Sequence, residues 1–297
     1  MPDSPVSPGD VRVVTPTLLR DWPLPEPGED KQSSGRLLVL GGSTRSPGAV
    51  RLAGEAAFRV GAGKVTLATV ETATAGLAPL LPEAALLPLT TAGGSIDVEQ
   101  AASIVDEVSG VDVLLAGSGL VDAEHAVSLL ERVLPHTDAA LVLDALGSAY
   151  LAEHPEGLWH LDGPAVLTAN PRELAHVAGA SEDDVTRDPV GVATRVAEQC
   201  HVVVLCGGTV KHLVTPEGEA WVVEGGGPGL AASGSGDVQA GIVAGLLARG
   251  ATPAQAAAWA GYIHARCGER LAATIGPVGY LARELPAQVP AVLAELA

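Results

Sequence analysis

The stretch at residues 36–70, RLLVLGGSTRSPGAVRLAGEAAFRVGAGKVTLATV, decides the fold class. It opens on a short apolar run that stops at Gly41-Gly42, the pattern of a buried strand feeding a glycine loop. Ala49, Leu52, Ala53, Ala56 and Val60 then recur at helical spacing, with Arg51, Glu55 and Arg59 elsewhere around the wheel. KVTLATV, residues 64–70, is β-branched and reads as a second strand. Strand, helix and strand in that order make one βαβ unit, whose two strands pair in parallel.

The same rhythm spreads outward from this unit. VDVLLAG (111–117) and AALVLDA (139–145) read as strands flanking a helix at 123–133. PAVLTAN reads as a strand with a helix after Pro171, and a helix through 190–199 leads into HVVVL, residues 201–205. The rhythm then changes: TVKHLVTPEGEAWVVEG has the strand, Pro-Glu-Gly turn and strand of a hairpin. Three helical segments follow near 236–249, 252–272 and 279–296. This alternation predicts an α/β fold, a three-layer α/β/α sandwich around a mostly parallel central sheet. Residues 1–34, rich in Pro, Ser and Asp, read as an irregular lead-in with a short turn near 16–20, and residues 35–297 as a single domain.

Bulk composition narrows the function. Hydrophobic residues are 47% of the 297-residue chain but aromatics only 3%, which points to close packing of Ala, Val, Leu and Gly. A formal net charge of −18 argues against nucleic acid or a membrane surface as partner. An anionic ligand must then be held by local features against the overall field. Cys200, Cys206 and Cys267 have no metal-ligand spacing, the opening MPDSPVSPGD lacks the features of a signal peptide, and no apolar run reaches membrane-spanning length. The expectation is a reduced, cytoplasmic protein.

In a sheet of this kind, ligands bind at the C-terminal edge of the strands. Five strand ends carry Gly41-Gly42-Ser43, Gly117-Ser118-Gly119, Asp144, Thr168-Ala169-Asn170 and Cys206-Gly207-Gly208-Thr209. GGSTRSPGAV fails as a dinucleotide fingerprint because its glycines fall at 41, 42 and 48. NPRE (170–173) has the makings of a capping box, with Pro at the first helical position; magnesium-bound water would be an additional role for Glu173. Asp144 reads equally well as a solvated strand end or as a carboxylate that positions a metal or polar substrate.

GLAASGSGDVQAG, residues 229–241, is the sharpest chemical signal. Gly234 and Gly236 allow successive amides to converge, and the apolar helix that follows aims its positive end at the same point. That arrangement stabilises charge on a transferring phosphoryl group, with Asp237 within reach of the attacking hydroxyl. The bland alternative is that Ser235 or Asp237 only caps the helix.

The ordered motifs WPLP, GRLLVLGGSTRSPGAVRLAGEAAFRVGAGKVTLAT, PEAAL, AGSGL, LDA, NPRE, SGSGDVQAGIVAGLLARG and IGPVGYLARELP resemble the NAD(P)H-hydrate dehydratases of the ribokinase-like superfamily, from about Leu18 to Leu296. The resemblance implies that ADP (or ATP), with Mg2+, phosphorylates the ring hydroxyl of NAD(P)H-hydrate. Loss of phosphate then restores NAD(P)H, a metabolite-repair reaction. It implies that Asp237 takes the hydroxyl proton and that Gly234 and Gly236 shape the turn, Gly236 at the nucleotide phosphate. Ala49, Gly119 and Asn170 would contact the hydrate, and Cys206, Gly207, Gly208 and Thr209 would form the nucleotide loop. It further implies a homotetramer and a functional pairing with an NAD(P)H-hydrate epimerase. Three positions depart from the family pattern: Cys206 replaces a Lys, Asn170 a His, and Leu146 an acid. Lys211, one of three lysines in the chain, is the candidate to reach in from nearby. Two other functions fit the same motifs: a small-molecule kinase of the superfamily, and a nucleotide-binding homologue without catalysis.

Overall fold

The computed structural model describes residues 11–26, 34–208 and 210–296. Its strands are β1 (Val11–Val13), β2 (Arg36–Leu40), β3 (Lys64–Val70), β4 (Ala85–Leu89), β5 (Thr91–Ala92), β6 (Ser95–Ile96), β7 (Val113–Ala116), β8 (Ala140–Asp144), β9 (Ala165–Ala169), β10 (Val202–Gly207), β11 (Val210–Val214) and β12 (Ala220–Glu224). All but the small β5–β6 hairpin join one sheet, in the order β1-β12-β11-β10-β9-β8-β7-β2-β3-β4. Only β11 is antiparallel to its neighbours in that sheet.

Successive strand residues point to opposite faces, and the core divides accordingly. Leu37, Val39, Leu67, Leu115 and Leu205 face one layer of helices. This layer contains α1 (Pro16–Asp21), α2 (Ala49–Val60), α3 (Glu71–Leu77), α10 (Ser235–Ala248), α11 (Pro253–Thr274) and α12 (Val289–Leu296). Leu38, Leu40, Leu114, Leu143 and Leu167 face the other. There lie α4 (Ala101–Val108), α5 (Ala123–Val133), α6 (Ala149–Glu153), α7 (Pro171–Val177), α8 (Glu182–Arg187) and α9 (Pro189–Cys200). The result is the expected three-layer α/β/α sandwich.

The small-residue composition shows most directly where α10 meets α2. A Cβ at Gly241 would stand 2.2 Å from the Ala53 carbonyl oxygen, and one at Gly245 would stand 2.4 Å from Val60 Cγ2. These glycines let two helix backbones touch, which presses the N-terminus of α10 down onto the strand ends. The chain runs from β2 to β3 and β4 on one side, then places β7 on the other side of β2. That reversal opens a crevice at the C-terminal edge. Because β10, β9, β8, β7 and β2 are consecutive in the sheet, the five glycine- and polar-ended loops stand side by side around it.

Part of the segment read as an irregular lead-in is ordered. Val11–Val13 pairs in parallel with Ala220–Val222, and Pro16–Asp21 is a helix capped by Thr15. Its hold is tertiary, which local composition does not reveal: Leu19 is buried, Trp22 stacks on Trp221 at 5.8 Å, and Trp259 donates to the Trp22 carbonyl at 3.0 Å. Residues 1–10 and 27–33 of that segment lie outside the described residues. The helical segment read at 279–296 is broken into short 3-10 turns at Ala282–Glu284 and Pro286–Gln288 before α12, because Pro286 cannot continue a preceding helix.

Candidate active site

The GSGD turn forms the N-terminus of α10, with Gly234 as the residue before its first turn. Gly234 has φ +89°, in the left-handed region, and a Cβ there would meet Leu52 Cδ1 at 2.6 Å. The left-handed backbone therefore favours glycine, and any side chain there would also have to push Leu52 aside. No side chain caps the helix, so neither Ser235 nor Asp237 plays the bland capping role. The Ser235 amide bonds the Ala232 carbonyl at 3.1 Å. The amides of Gly236 and Asp237 have no partner among the described residues. Two free N–H groups and the positive end of a fourteen-residue helix face the crevice.

Three carboxylates come together beside this turn. Asp144 is no solvated strand end: it is 6% exposed and accepts from Ser118 Oγ at 2.7 Å and Thr168 Oγ1 at 2.8 Å. Burial raises its pKa, against the pull of those hydroxyls. Glu173 completes the expected capping box: its amide donates to Asn170 Oδ1 and its Oε2 accepts from the Asn170 amide, both at 3.0 Å. Its pKa is also raised, first by burial and then by the charge on Asp144 once the cap's opposing hydrogen bond is counted. Asp237 is pushed up to about 7, chiefly by burial, with Asp144 and Glu173 adding repulsion. A carboxyl poised near neutrality beside an anion cradle is suited to moving a proton at physiological pH.

A cavity of about 420 Å³ joins these groups; Asp144, Asn170, Glu173, Gly207, Gly208, Gly234, Gly236 and Asp237 all line it. Two expected contact residues lie elsewhere. Ala49 and Gly119 stand together beside Gly42, since a Cβ on Gly119 would meet Ala49 Cβ at 2.7 Å and Gly42 Cα at 3.1 Å. They mark the crevice between β2 and β7, outside the cavity lining. Cys206 is 1% exposed and packed in the core, its thiol pushed up to about 12 by burial. Thr209 lies outside the described residues.

Sequence reasoning missed several polar groups on the cavity wall. His264, on α11, approaches both Ser235 Oγ (2.9 Å) and the Ser235 carbonyl (3.0 Å), clamping the cradle from behind. Burial, aided by the charge on Lys211, drives its pKa down to about 3, so it is a neutral imidazole. Gln239 is 8% exposed, and among the described residues neither its Oε1 nor His264 Nδ1 has a hydrogen-bond partner. The available signal was a polar residue on the buried side of an otherwise apolar helix. Among the described residues, no three His, Cys, Asp or Glu side chains form a ready metal cage. The three acids instead fit a cation that keeps several waters and takes its remaining ligands from phosphate, as Mg2+ does.

Comparison with known proteins agrees with this geometry. Residues 37–291 match the family model described as NAD(P)H-hydrate dehydratase. The chain is 41% identical to the ADP-dependent (S)-NAD(P)H-hydrate dehydratase of Xanthomonas campestris pv. campestris, covering 96% of this chain and 97% of that protein. It is 34% identical, over 88% of its own length, to a bifunctional NAD(P)H-hydrate repair enzyme of Moorella thermoacetica, of which it spans 50%. An ADP/ATP-dependent NAD(P)H-hydrate dehydratase of Bacillus subtilis, co-crystallized with ATP and Mg2+, superposes with a TM-score of 0.82 at 27% identity, over 97% of this chain and 100% of that one. By its sequence, its ribokinase-like fold and the grouping of its strand-end loops, this chain belongs to the NAD(P)H-hydrate dehydratase family.

Proposed function

We propose that this chain restores NAD(P)H from its hydrate, using ADP as phosphoryl donor. The carrying observation is the juxtaposition of Asp237, pushed up to about 7, with the unpartnered amides of Gly236 and Asp237 at the start of α10. In this reading the hydrate's ring hydroxyl lies against Asp237, which accepts its proton as the oxygen bonds to the β-phosphorus of ADP and AMP departs. The two amides and the helix end hold the phosphoryl oxygens through the transfer. Phosphate then leaves with the ring C–O bond electrons while the adjacent carbon loses a proton, re-forming the double bond. Ala49 and Gly119 flank the crevice suited to the nicotinamide, while Gly207 and Gly208 border the nucleotide end of the cavity. Glu173 and Asp144 would hold Mg2+, Glu173 through water, and the ion would neutralise charge on the phosphates.

The family names of the relatives and the ATP/Mg2+ crystal of the Bacillus protein support this assignment. The bifunctional repair enzymes, about twice the length of the matched region, support pairing with a second repair activity, an NAD(P)H-hydrate epimerase. The experiment is direct: purified protein, hydrate, ADP and Mg2+ are mixed while absorbance at the reduced-nicotinamide band is followed. The expected result is full recovery of that band with AMP and phosphate released in equal amounts. A stable phosphorylated alcohol with no recovery of absorbance would reassign the chain as a small-molecule kinase.

A further inference from the structure

We propose that Lys211 is the cation that receives the nucleotide's phosphates, delivered from the antiparallel strand β11. The inference rests on the nucleotide reading above. Lys211 stands opposite Gly207 in the β10–β11 register, and its side chain lines the cavity although the residue is only 2% exposed. The local sequence builds this placement. Gly207 has φ +148°, and a Cβ on it would stand 2.2 Å from the Val210 carbonyl oxygen and 2.7 Å from Lys211 Cα. The absence of that atom lets the β11 backbone close onto the nucleotide loop. The aliphatic stem runs past Gly261 of α11, where a Cβ would lie 3.7 Å from Lys211 Cδ. The ammonium ends at the loop itself, donating to the Gly208 carbonyl at 3.3 Å.

That single bond leaves the ammonium under-used. It has three donors, and among the described residues it forms no ion pair with any carboxylate. A buried charge without its counter-charge is costly, and burial already draws the Lys211 pKa down to about 8. The missing partner must be anionic, must fit a cavity bordered by Gly207 and Gly208, and must tolerate the acids Asp144, Glu173 and Asp237 across it. A nucleotide polyphosphate meets all three conditions, with its far oxygens on the α10 amides and the nearer ones on Lys211. In a chain of net charge −18, such a local cation adds to the α10 amides in opposing the overall field. Cys206, on the neighbouring strand, is a buried neutral thiol and supplies no charge.

The test is calorimetric titration of wild type, Lys211→Met and Lys211→Arg with ADP and with adenosine. Loss of a charge-assisted hydrogen bond predicts ADP binding to Lys211→Met weaker by about 10- to 100-fold, with adenosine affinity unchanged. Lys211→Arg should retain most of the ADP affinity. Equal weakening for ADP and adenosine, or a folded Lys211→Met that binds ADP like wild type, overturns the proposal. Should Lys211→Met fail to fold, lysine-labelled wild type decides by NMR. The Lys211 Nζ resonance should move on adding ADP and stay in place with adenosine; a resonance indifferent to ADP overturns the proposal. Wild type that fails to bind ADP would overturn the nucleotide reading together with this one. Normal turnover and ADP affinity in Lys211→Met would overturn this one alone.

Discussion

As the proposed base, Asp237 must be ionised to act, so its raised pKa is expected to set the acid limb of the reaction. The free-enzyme kcat/KM should fall about tenfold per pH unit below about 7, measured across pH 5 to 8. The same shift has a stability consequence of definite sign. The folded-state pKa lies near 7, above the ordinary 3.8, so protonation favours the folded chain. The cost of ionising Asp237 begins above the unfolded value and is complete above about 7. Asp237→Asn removes that cost. It should melt a few degrees above wild type at pH 8 and together with it at the acid end, by calorimetric scan. Gly236 gives a separate test of the cradle. A Cβ there meets nothing within 4 Å of the protein, so Gly236→Ala should fold normally. The methyl would occupy ligand space, and turnover should drop at least about tenfold through misplacement of the phosphate.

At the scale of elements, the site depends on α10 being seated tightly on α2. Gly241→Ala drives a methyl into the Ala53 carbonyl, which neither backbone can vacate. Overpacking of this kind should cost about 1–3 kcal/mol in chemical denaturation and loosen the turn that α10 carries. The elements that place the site were legible because their signals are local. The 36–70 stretch changes period from strand to helix to strand, and NPRE announces its own capping box. The SGSGD turn likewise marks the start of α10, although the capping role it could have had is absent. What escaped was held by distant partners. Val11–Val13 becomes a strand only because β12 offers an edge. His264 becomes a clamp only because α11 crosses behind Ser235. From sequence alone Lys211 is a candidate to reach in, but its burial and its place opposite Gly207 follow from hairpin register. Asp144 reads ambiguously in sequence because the hydroxyls that bind it come from elsewhere, Ser118 from the loop after β7 and Thr168 from β9.

Over the whole molecule, a charge of −18 surrounds the proposed site for an anionic nucleotide. Salt screens that repulsion, so ADP association should become faster as ionic strength rises from about 0.01 M to 0.15 M, by stopped-flow. A protein whose overall field attracts its ligand shows the opposite trend. Among the described residues no helix is long and apolar enough to cross a membrane. The sheet sets five consecutive strand ends along one edge, and the start of α10 lines the cavity together with the ends of β8, β9 and β10. The most direct test of this arrangement is single-turnover recovery of reduced nicotinamide from the hydrate, with ADP and Mg2+, by wild type and Asp237→Asn side by side. The account predicts rapid recovery by wild type and a rate lower by about 10²- to 10⁴-fold for the Asn variant, with ADP still bound. An Asn variant that recovers the band at the wild-type rate would contradict it.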